Sequence, residues 1–598
     1  MKESVFVNTP VRSLHCLLLV LLTLATGSSH ANNSKPNVLV ILTDDQGWGD
    51  LSISGNTNLA TPHIDSLARD GTTLDAFYVC QVCAPTRAEF LTGRYYPRTG
   101  VSGVTRGEGR LNPDEVTVAD VFTKGGYTTG AFGKWHNGTQ PPYHPNDRGF
   151  EEYYGFTSGH WSHYFDVPMD HNGKRVRGEG FIIDDITDKA VAFIERESKA
   201  EEPFFCYVPY NTPHSPMMVP DRWYAKFDGI DPAMRHRDPG KEDLLMTRAA
   251  LALCENIDWN VGRLLRALEK EGIEEDTIVI YFSDNGPNSY RWNGDLKGRK
   301  GSIDEGGLRS PFFIRWPGEI TEGRHLPQIA GAIDLLPTLA DFAGLDLPNE
   351  KPLDGRSLRP LLIPEDNQAD WPERELLSVR RKQVSIRTQR FRYDAAGKLY
   401  EIASDPGQRA DVAESHPALV KRLAKMAESY IKETQAAFAA NADRPFTVGY
   451  GPVTQLPVRD AVEHGSIQRS SKAPNNSFLH SWTDPADSIT WDVDVGASGE
   501  YEAVLYYTCA PENVGCEVKL SMDSTAEIRA IVTEPFDPTH YDKSLERMPE
   551  SHYHMKDFQP ITLGTIRLDK GRGTLRLGAA KMTGTAMVDV HSLVLQKI

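Results

Sequence analysis

A few short stretches hold the residue types that can do chemistry. Cys83 opens the run Cys83-Ala84-Pro85-Thr86-Arg87-Ala88-Glu89-Phe90-Leu91-Thr92-Gly93-Arg94. Pro85 suits the first turn of a helix, and a nucleophile at a helix N-terminus is favoured in its ionised form by the partial positive charge there. Asp44-Asp45 and Asp284-Asn285 each follow an apolar run. All four offer the hard oxygen donors that calcium prefers, whereas magnesium keeps several waters; two acidic segments alone leave metal binding open. Lys134 and His136 stand in Gly133-Lys134-Trp135-His136, His214 ends Asn211-Thr212-Pro213-His214, and Lys300 begins Lys300-Gly301-Ser302 ahead of Glu305-Gly306-Gly307-Leu308-Arg309. Imidazoles titrate near neutrality and suit proton transfer. Lysines bring positive charge to where negative charge develops. Cys80-Gln81-Val82-Cys83 superficially matches C-x-x-C, but it has neither a partner pair nor a thioredoxin-like context for a metal or redox role.

The Cys83 run resembles the sulfatase signature C-x-P-S-R-x-x-x-L-T-G-R and departs from it only at Thr86, where serine is commoner. The resemblance implies a type I sulfatase, formylglycine-dependent and arylsulfatase-like, in the alkaline-phosphatase-like superfamily. It implies that a maturation enzyme oxidises Cys83 to formylglycine (3-oxoalanine), which hydrates to a geminal diol. A thiol attacking a sulfate ester would be left as a thiosulfate-like adduct. A diol has one hydroxyl to attack sulfur and another to expel sulfate, so one hard step becomes two easier ones. The resemblance further implies that Asp44, Asp45, Asp284, Asn285 and the modified Cys83 hold one Ca2+. It implies that Lys134 contacts sulfate and the formylglycine, and that His136 orients the diol and takes the proton that drives elimination. By the same resemblance His214 protonates the leaving alcohol, Lys300 binds sulfate and the bridging oxygen, and Arg87 holds the formylglycine. Lys297 and Arg299 rival Lys300 by charge, but only Lys300 has the neighbours of K-G-[ST]. Asp354-Gly355-Arg356-Ser357-Leu358 is another family-like segment, expected to be structural. The resemblance spans roughly Asn37 to Ala440.

These residues need a frame. Val38–Leu42 and Thr277–Phe282 are unbroken apolar runs, the pattern of parallel strands covered on both faces. Helical patterns at Asp114–Lys124, Asp184–Ser198 and Leu244–Glu271, with a further strand at Phe204–Pro209, predict a doubly wound, mostly parallel α/β sheet. Ligands bind at the carboxyl ends of such strands, where both acidic pairs fall. Val379–Arg392 and Leu399–Glu401 read as short antiparallel strands, and Pro417–Ala440 as an amphipathic helix. Alternating segments at Ser488–Val495 and Glu500–Tyr507, with strands ending at Leu577 and Leu595, predict a β-sandwich. The expected layout is a signal peptide over 1–31, a catalytic α/β domain over 36–370, a small α+β subdomain over 371–440, a linker over 441–457, and a sandwich over 458–598. That sandwich resembles β-sandwich carbohydrate-binding modules.

Composition narrows the partners. The 598 residues carry 65 basic and 82 acidic side chains, a net charge of −17. A nucleic-acid backbone would need a basic footprint, so it is excluded as a partner. Lys2 and Arg12, the apolar Leu17–Ala25 and the Ser29-His30-Ala31 site read as a cleaved signal peptide, so the mature chain is expected to be secreted or periplasmic with no transmembrane segment. Six cysteines beyond that leader are too few to build the fold by disulfides, although Cys509 and Cys516 flank a short loop open to a bridge.

Selectivity should come from loops around the sulfate. Gly159-His160-Trp161-Ser162-His163-Tyr164-Phe165-Asp166 is rich in groups that stack on and hydrogen-bond sugars, and Arg291 and Trp292 follow the Asp284 strand. His160, Trp161, His163, Arg291 and Trp292 are therefore candidate substrate contacts, with internal packing as the alternative for each. Trp482 and Tyr507 are candidate sugar platforms on the sandwich, or part of its core. The expected substrate is a sulfated polysaccharide or oligosaccharide. A formylglycine-dependent phosphodiesterase or phosphonate monoester hydrolase, and a non-catalytic sugar-binding protein, stay open as alternatives. A two-zinc phosphatase does not, because no dense His/Asp pattern is present.

Overall fold

The apolar run Val38–Leu42 forms the middle of strand β1 (Asn37–Thr43). Its side chains alternate between two hydrophobic clusters, Val38, Val40 and Leu42 in one, Leu39 and Ile41 in the other. Both faces are buried, which is why the run lacks polar alternation. The computed structural model describes Met1 and residues 35–348, 350–363, 371–523, 526–549 and 553–598. The expected leader, apart from Met1, lies outside the described residues.

The strands that follow are β2 (Thr72–Tyr78), β3 (Thr128–Lys134), β4 (Glu152–Phe156), β5 (Pro168–His171), β6 (Lys174–Arg177), β7 (Phe204–Pro209), β8 (Thr277–Ser283), β9 (Arg309–Ser310), β10 (Phe312–Arg315) and β11 (Arg324–Gly331). Their order across the sheet is β11-β2-β10-β8-β1-β7-β3-β4-β5-β6, with β9 on β2. β8, β1, β7, β3 and β4 run parallel, and β10, β5 and β6 are antiparallel to their neighbours. Helix Cys83–Thr92 packs Ala84, Ala88, Phe90 and Leu91 on one face, while Leu244–Glu271 packs Leu253, Ile257, Val261 and Leu264 on the other. Gly93 ends the first helix at φ +66, a left-handed residue that explains the glycine of Leu-Thr-Gly-Arg.

Asp243 caps the Leu244–Glu271 helix by accepting from the Met246 N–H at 3.0 Å, and Gly272 ends it at φ 70. The helix expected from Asp114 begins at Val118, because Thr117 and Asp120 form a capping box that fixes the start. The helix expected from Asp184 begins slightly earlier and spans Ile182–Glu197.

Strands Leu376–Arg380, Gln383–Arg387, Phe391–Tyr393 and Leu399–Glu401 form a four-stranded antiparallel sheet. Helix Pro417–Ala440 sets Leu423, Ala427 and Tyr430 into the same apolar cluster as Val38 and Val40. The stretch 441–457, expected as a linker, instead carries strands Phe446–Val448 and Val453–Pro457, each paired into one sheet of the sandwich. Val448 and Leu456 enter its core, and that burial makes the stretch part of the sandwich.

The sandwich faces Ser488–Val495, Glu517–Met522 and Gly571–Lys581 of one sheet against Gly499–Thr508, Gln559–Leu568 and Asp589–Lys597 of the other. Trp482 and Tyr507, considered as sugar platforms, are buried among Trp491, Tyr501 and Leu593 in its core. Cys509 and Cys516 are buried free thiols, not a bridge. Residues 36–598 form one compact unit. Among the described residues no helix is long and apolar enough to cross a membrane.

Candidate active site

Parallel pairing of β1 with β8 brings Thr43 opposite Ser283, so Asp44-Asp45 and Asp284-Asn285 leave the sheet side by side. The turn is fixed by backbone bonds: Asp284 N–H donates to Thr43 O at 3.0 Å and Asp44 N–H to Thr212 O at 3.2 Å. Asp45, at φ 67, donates its N–H to Asp284 Oδ1 at 3.1 Å. His136 also has a left-handed backbone, φ 66, and non-glycine residues so strained gather at functional sites.

Cys83 begins the helix beneath these strand ends and is 3% exposed. Its N-cap, Val82, supplies no side-chain cap. Thr86, one turn on, receives the Cys80 N–H at 2.8 Å and donates to Asp284 O at 2.5 Å. That explains the departure from serine, since either hydroxyl can make both bonds. Arg87 is fully buried, its Nη2 on Asp284 Oδ2 at 2.9 Å and its Nη1 on Lys134 O at 2.7 Å. Gly133 lets β3 approach β7: a Cβ there would lie 2.1 Å from Pro209 O. Lys134 then reaches Asp44 Oδ2 with Nζ at 2.6 Å, and Lys300 reaches Asp45 Oδ1 at 2.6 Å.

The two histidines are held in opposite senses. His136 Nε2 faces Val104 O at 3.0 Å, so Nε2 carries the proton, and its buried Nδ1 has no partner. His214 Nδ1 faces Ser215 O at 2.7 Å and carries the proton there, leaving Nε2 toward Asp45 Oδ2 at 3.6 Å. Burial and then Lys134 push the His136 pKa well below its ordinary value. Burial lowers His214 to about 4, against the pull of Asp45.

Burial alone would raise the Asp44 and Asp45 carboxyls. Lys134, His214 and Arg87 around the first, and His214 and Lys300 around the second, hold both below the usual range. Asp284 goes the other way: burial and the neighbouring Asp44 charge raise it well above that range despite Arg87.

The donor set fits a divalent cation. One ligand atom each from Asp44, Cys83 and Asp284 lie within 4.8 Å of one another. Asp44 Oδ1, Asp45 Oδ2 and Asn285 Oδ1 are buried without a hydrogen-bond partner. Such oxygens are costly to leave bare, and a cation between Asp44 and Asp284 would relieve the repulsion that raises Asp284.

The structure thus brings together Cys83, Arg87, Asp44, Asp45, Lys134, His214, Asp284, Asn285 and Lys300, with His136 beside them. The expected substrate contacts divide. His160 stacks on His214, ring centroids 5.6 Å apart and 12° from parallel. Trp161 lies flat on Phe156 at 5.2 Å and lines a cavity with Arg175 and His591. His163 bonds Phe165 and the Asp542 carbonyl. Arg291, a candidate substrate contact with internal packing as its alternative, takes the alternative: it is 1% exposed, with its donors spent on Asp50, Asn288, Ser289 and the Asp45 carbonyl. It buttresses Asp45 from behind. Trp292 packs on Gly49, whose added Cβ would lie 3.0 Å from the indole. Sequence reasoning missed Asp50, Asn475 and Tyr553; only the buried Asp50–Arg291 pair had a visible trace, an arginine next to the strand end.

The sulfatase family model matches residues 36–345, and one described as N-sulphoglucosamine sulphohydrolase, C-terminal, matches 299–433. N-acetylgalactosamine-6-sulfatase of Canis lupus familiaris is 31% identical over 383 residues, covering 58% of this chain and 69% of that one. Arylsulfatase A of Homo sapiens is 34% identical over 382 residues, covering 58% and 70%. Among solved structures, Ps i-CgsB in complex with k-i-k-neocarrahexaose superposes with TM-score 0.61 at 30% identity, over 68% of this chain and 98% of that one. Fold and matches together define an alkaline-phosphatase-like hydrolase with an appended β domain. The chain belongs to the sulfatase family and is a sulfuric ester hydrolase.

Proposed function

We propose that the protein removes O-sulfate from a sulfated oligosaccharide or polysaccharide, with Cys83 matured to formylglycine by a separate oxidising enzyme and one Ca2+ held by Asp44, Asp45, Asp284 and Asn285. The observation that carries this reading is Cys83 at a helix N-terminus, within ligand distance of two carboxylates and ringed by Arg87, Lys134 and Lys300. The sugar is supported by the names of the relatives, an N-acetylgalactosamine-6-sulfatase and a protein solved with a neocarrahexaose. The leader-like N-terminus supports a secreted or periplasmic site of action.

Formylglycine, as its hydrate, supplies one hydroxyl to attack sulfur and a second whose deprotonation expels sulfate. A calcium ion held by Asp44, Asp45, Asp284 and Asn285 would supply charge to lower the hydroxyl's pKa and polarise a sulfate oxygen. The chain's own residues do the rest. Lys134 and Lys300 bring positive charge to the sulfate oxygens. Arg87 fixes Asp284 and the end of β3. His136, with Nδ1 unprotonated and otherwise unpartnered, accepts a proton at that atom. His214 must gain a proton at Nε2 to donate it to the leaving alcohol, and the bound anionic sulfate favours that protonation.

Two measurements test the reading together. From a maturation-competent host, the tryptic peptide bearing Cys83 is expected about 18 Da lighter than the thiol form. Cys83→Ala should then release no sulfate from a panel of sulfated mono- and oligosaccharides while melting at the wild-type temperature. A peptide of unaltered mass and a Cys83→Ala protein that still releases sulfate would sink it.

A further inference from the structure

The sandwich reaches into the catalytic cleft. In the loop between its strands Ala526–Ile531 and Gln559–Leu568, residues 545–548 pack onto the α/β domain. Glu546 pairs with Met218 in an antiparallel bridge, and Leu545 O receives the Val219 N–H at 3.3 Å. Arg547 Nη2 bonds Asp221 at 2.8 Å, and Leu545 and Met548 pack on the core that holds Val208 and Leu253. These contacts grip the segment that follows His214.

The same loop ends near that histidine. Tyr553 is 8% exposed, and its ring meets His160 edge-on at 4.9 Å. His160 in turn stacks on His214. The strap carrying His160 is pinned by a second sandwich residue. Asn475 Nδ2 donates to Val104 O at 2.9 Å, the carbonyl that also receives His136, and a Cβ on Gly159 would lie 2.2 Å from that nitrogen. His160 Nε2 is buried with no hydrogen-bond partner.

We propose that Tyr553 of the sandwich and His160 of the catalytic domain form the subsite for the sugar ring of the leaving alcohol. The inference rests on the sulfatase reading above. The alcohol protonated at His214 Nε2 belongs to that ring, so groups packed against His214 meet it. An unpartnered imidazole nitrogen suits a neutral hydroxyl, and an aromatic ring covers the C–H surface of a pyranose. Asn475 and the loop anchors are positioning residues. The appended domain therefore forms a wall of the active site.

The test compares kcat and KM on three esters: a sugar O-sulfate that the wild type turns over, an aryl sulfate, and a simple alkyl sulfate whose leaving group is as basic as the sugar's. Tyr553→Ala is expected to lower kcat/KM on the sugar sulfate about tenfold more than on either other ester, mainly through KM. Tyr553→Phe, which keeps the ring, should keep most of that selectivity, and Tyr553→Leu replaces the alanine variant if the latter does not fold. The control Tyr450→Ala, an exposed sandwich tyrosine, should change none of the three. Equal losses on all esters, no change at all, or losses that follow leaving-group basicity alone would overturn the subsite. A wild type that releases sulfate from no ester would instead overturn the sulfatase reading.

Discussion

Asp44 Oδ1, Asp45 Oδ2 and Asn285 Oδ1 are each buried without a hydrogen-bond partner. Lys134 and Lys300 satisfy only the other carboxylate oxygens, Asp44 Oδ2 and Asp45 Oδ1. A cation that binds only the folded chain stabilises it by about 2.7 kcal/mol at a hundredfold excess over Kd. Calcium should therefore raise the melting temperature of the chelator-stripped protein, and Asp284→Asn should abolish the rise. An unchanged melting curve on titration would refute the metal assignment without reference to turnover. At this scale part was readable beforehand: Cys83 starts a helix with Pro85 in its first turn, and both acidic pairs follow the ends of apolar strands. The choice between substrate contact and packing at Arg291 stayed open because its partner, Asp50, is 241 positions away, and no local pattern reveals that a charge is already neutralised. Tyr553 had no signal either, since a lone tyrosine in an irregular loop has no period and no motif.

Elements that bury one uninterrupted stripe were the most legible. Leu244–Glu271 and Pro417–Ala440 form over the expected residues because their periodicity is long and their ends carry Asp243 and Pro417. The short hairpin β5–β6 and the two strands inside 441–457 were invisible, because a few residues give no period to detect. The helix that starts at Cys83 contains a titrating element of its own. Glu89 is buried and receives the Tyr96 N–H at 3.2 Å, and burial, opposed by the Cys80 and Tyr96 bonds, raises it to about 8 from an ordinary 4.5. The native state thus holds a proton that the unfolded chain releases. Its contribution to stability is whole below pH 4.5 and is lost as pH rises to about 8. Glu89→Gln should flatten the fall in stability across that window, measured by denaturant midpoints at several pH values; parallel profiles for both proteins would contradict it.

Across the whole molecule, separate layers are joined by buried polar locks. Glu305, in the segment after Lys300, is fully buried and accepts from Arg392 Nε at 2.7 Å and from Tyr78 at 3.0 Å, with Arg387 Nε 3.4 Å away. Tyr78 ends β2 of the large sheet, while both arginines belong to the four-stranded sheet. The carboxyl stays below its ordinary pKa although burial opposes this, because Arg392 and Arg387 prevail. Glu305→Ala strands two buried guanidinium groups and should cost about 3–5 kcal/mol of unfolding free energy. A loss under about 0.5 kcal/mol, the range of ordinary surface changes, would show that the lock is idle.

The burial of Cys83 also orders events in time. At 3% exposure, inside a helix packed under a completed sheet, its sulfur is out of reach of another protein's catalytic pocket. Were Cys83 matured as proposed, the oxidising partner would need this segment before the sheet closes over it. Conversion and folding would then compete, and a molecule that folded first would keep its thiol sealed in.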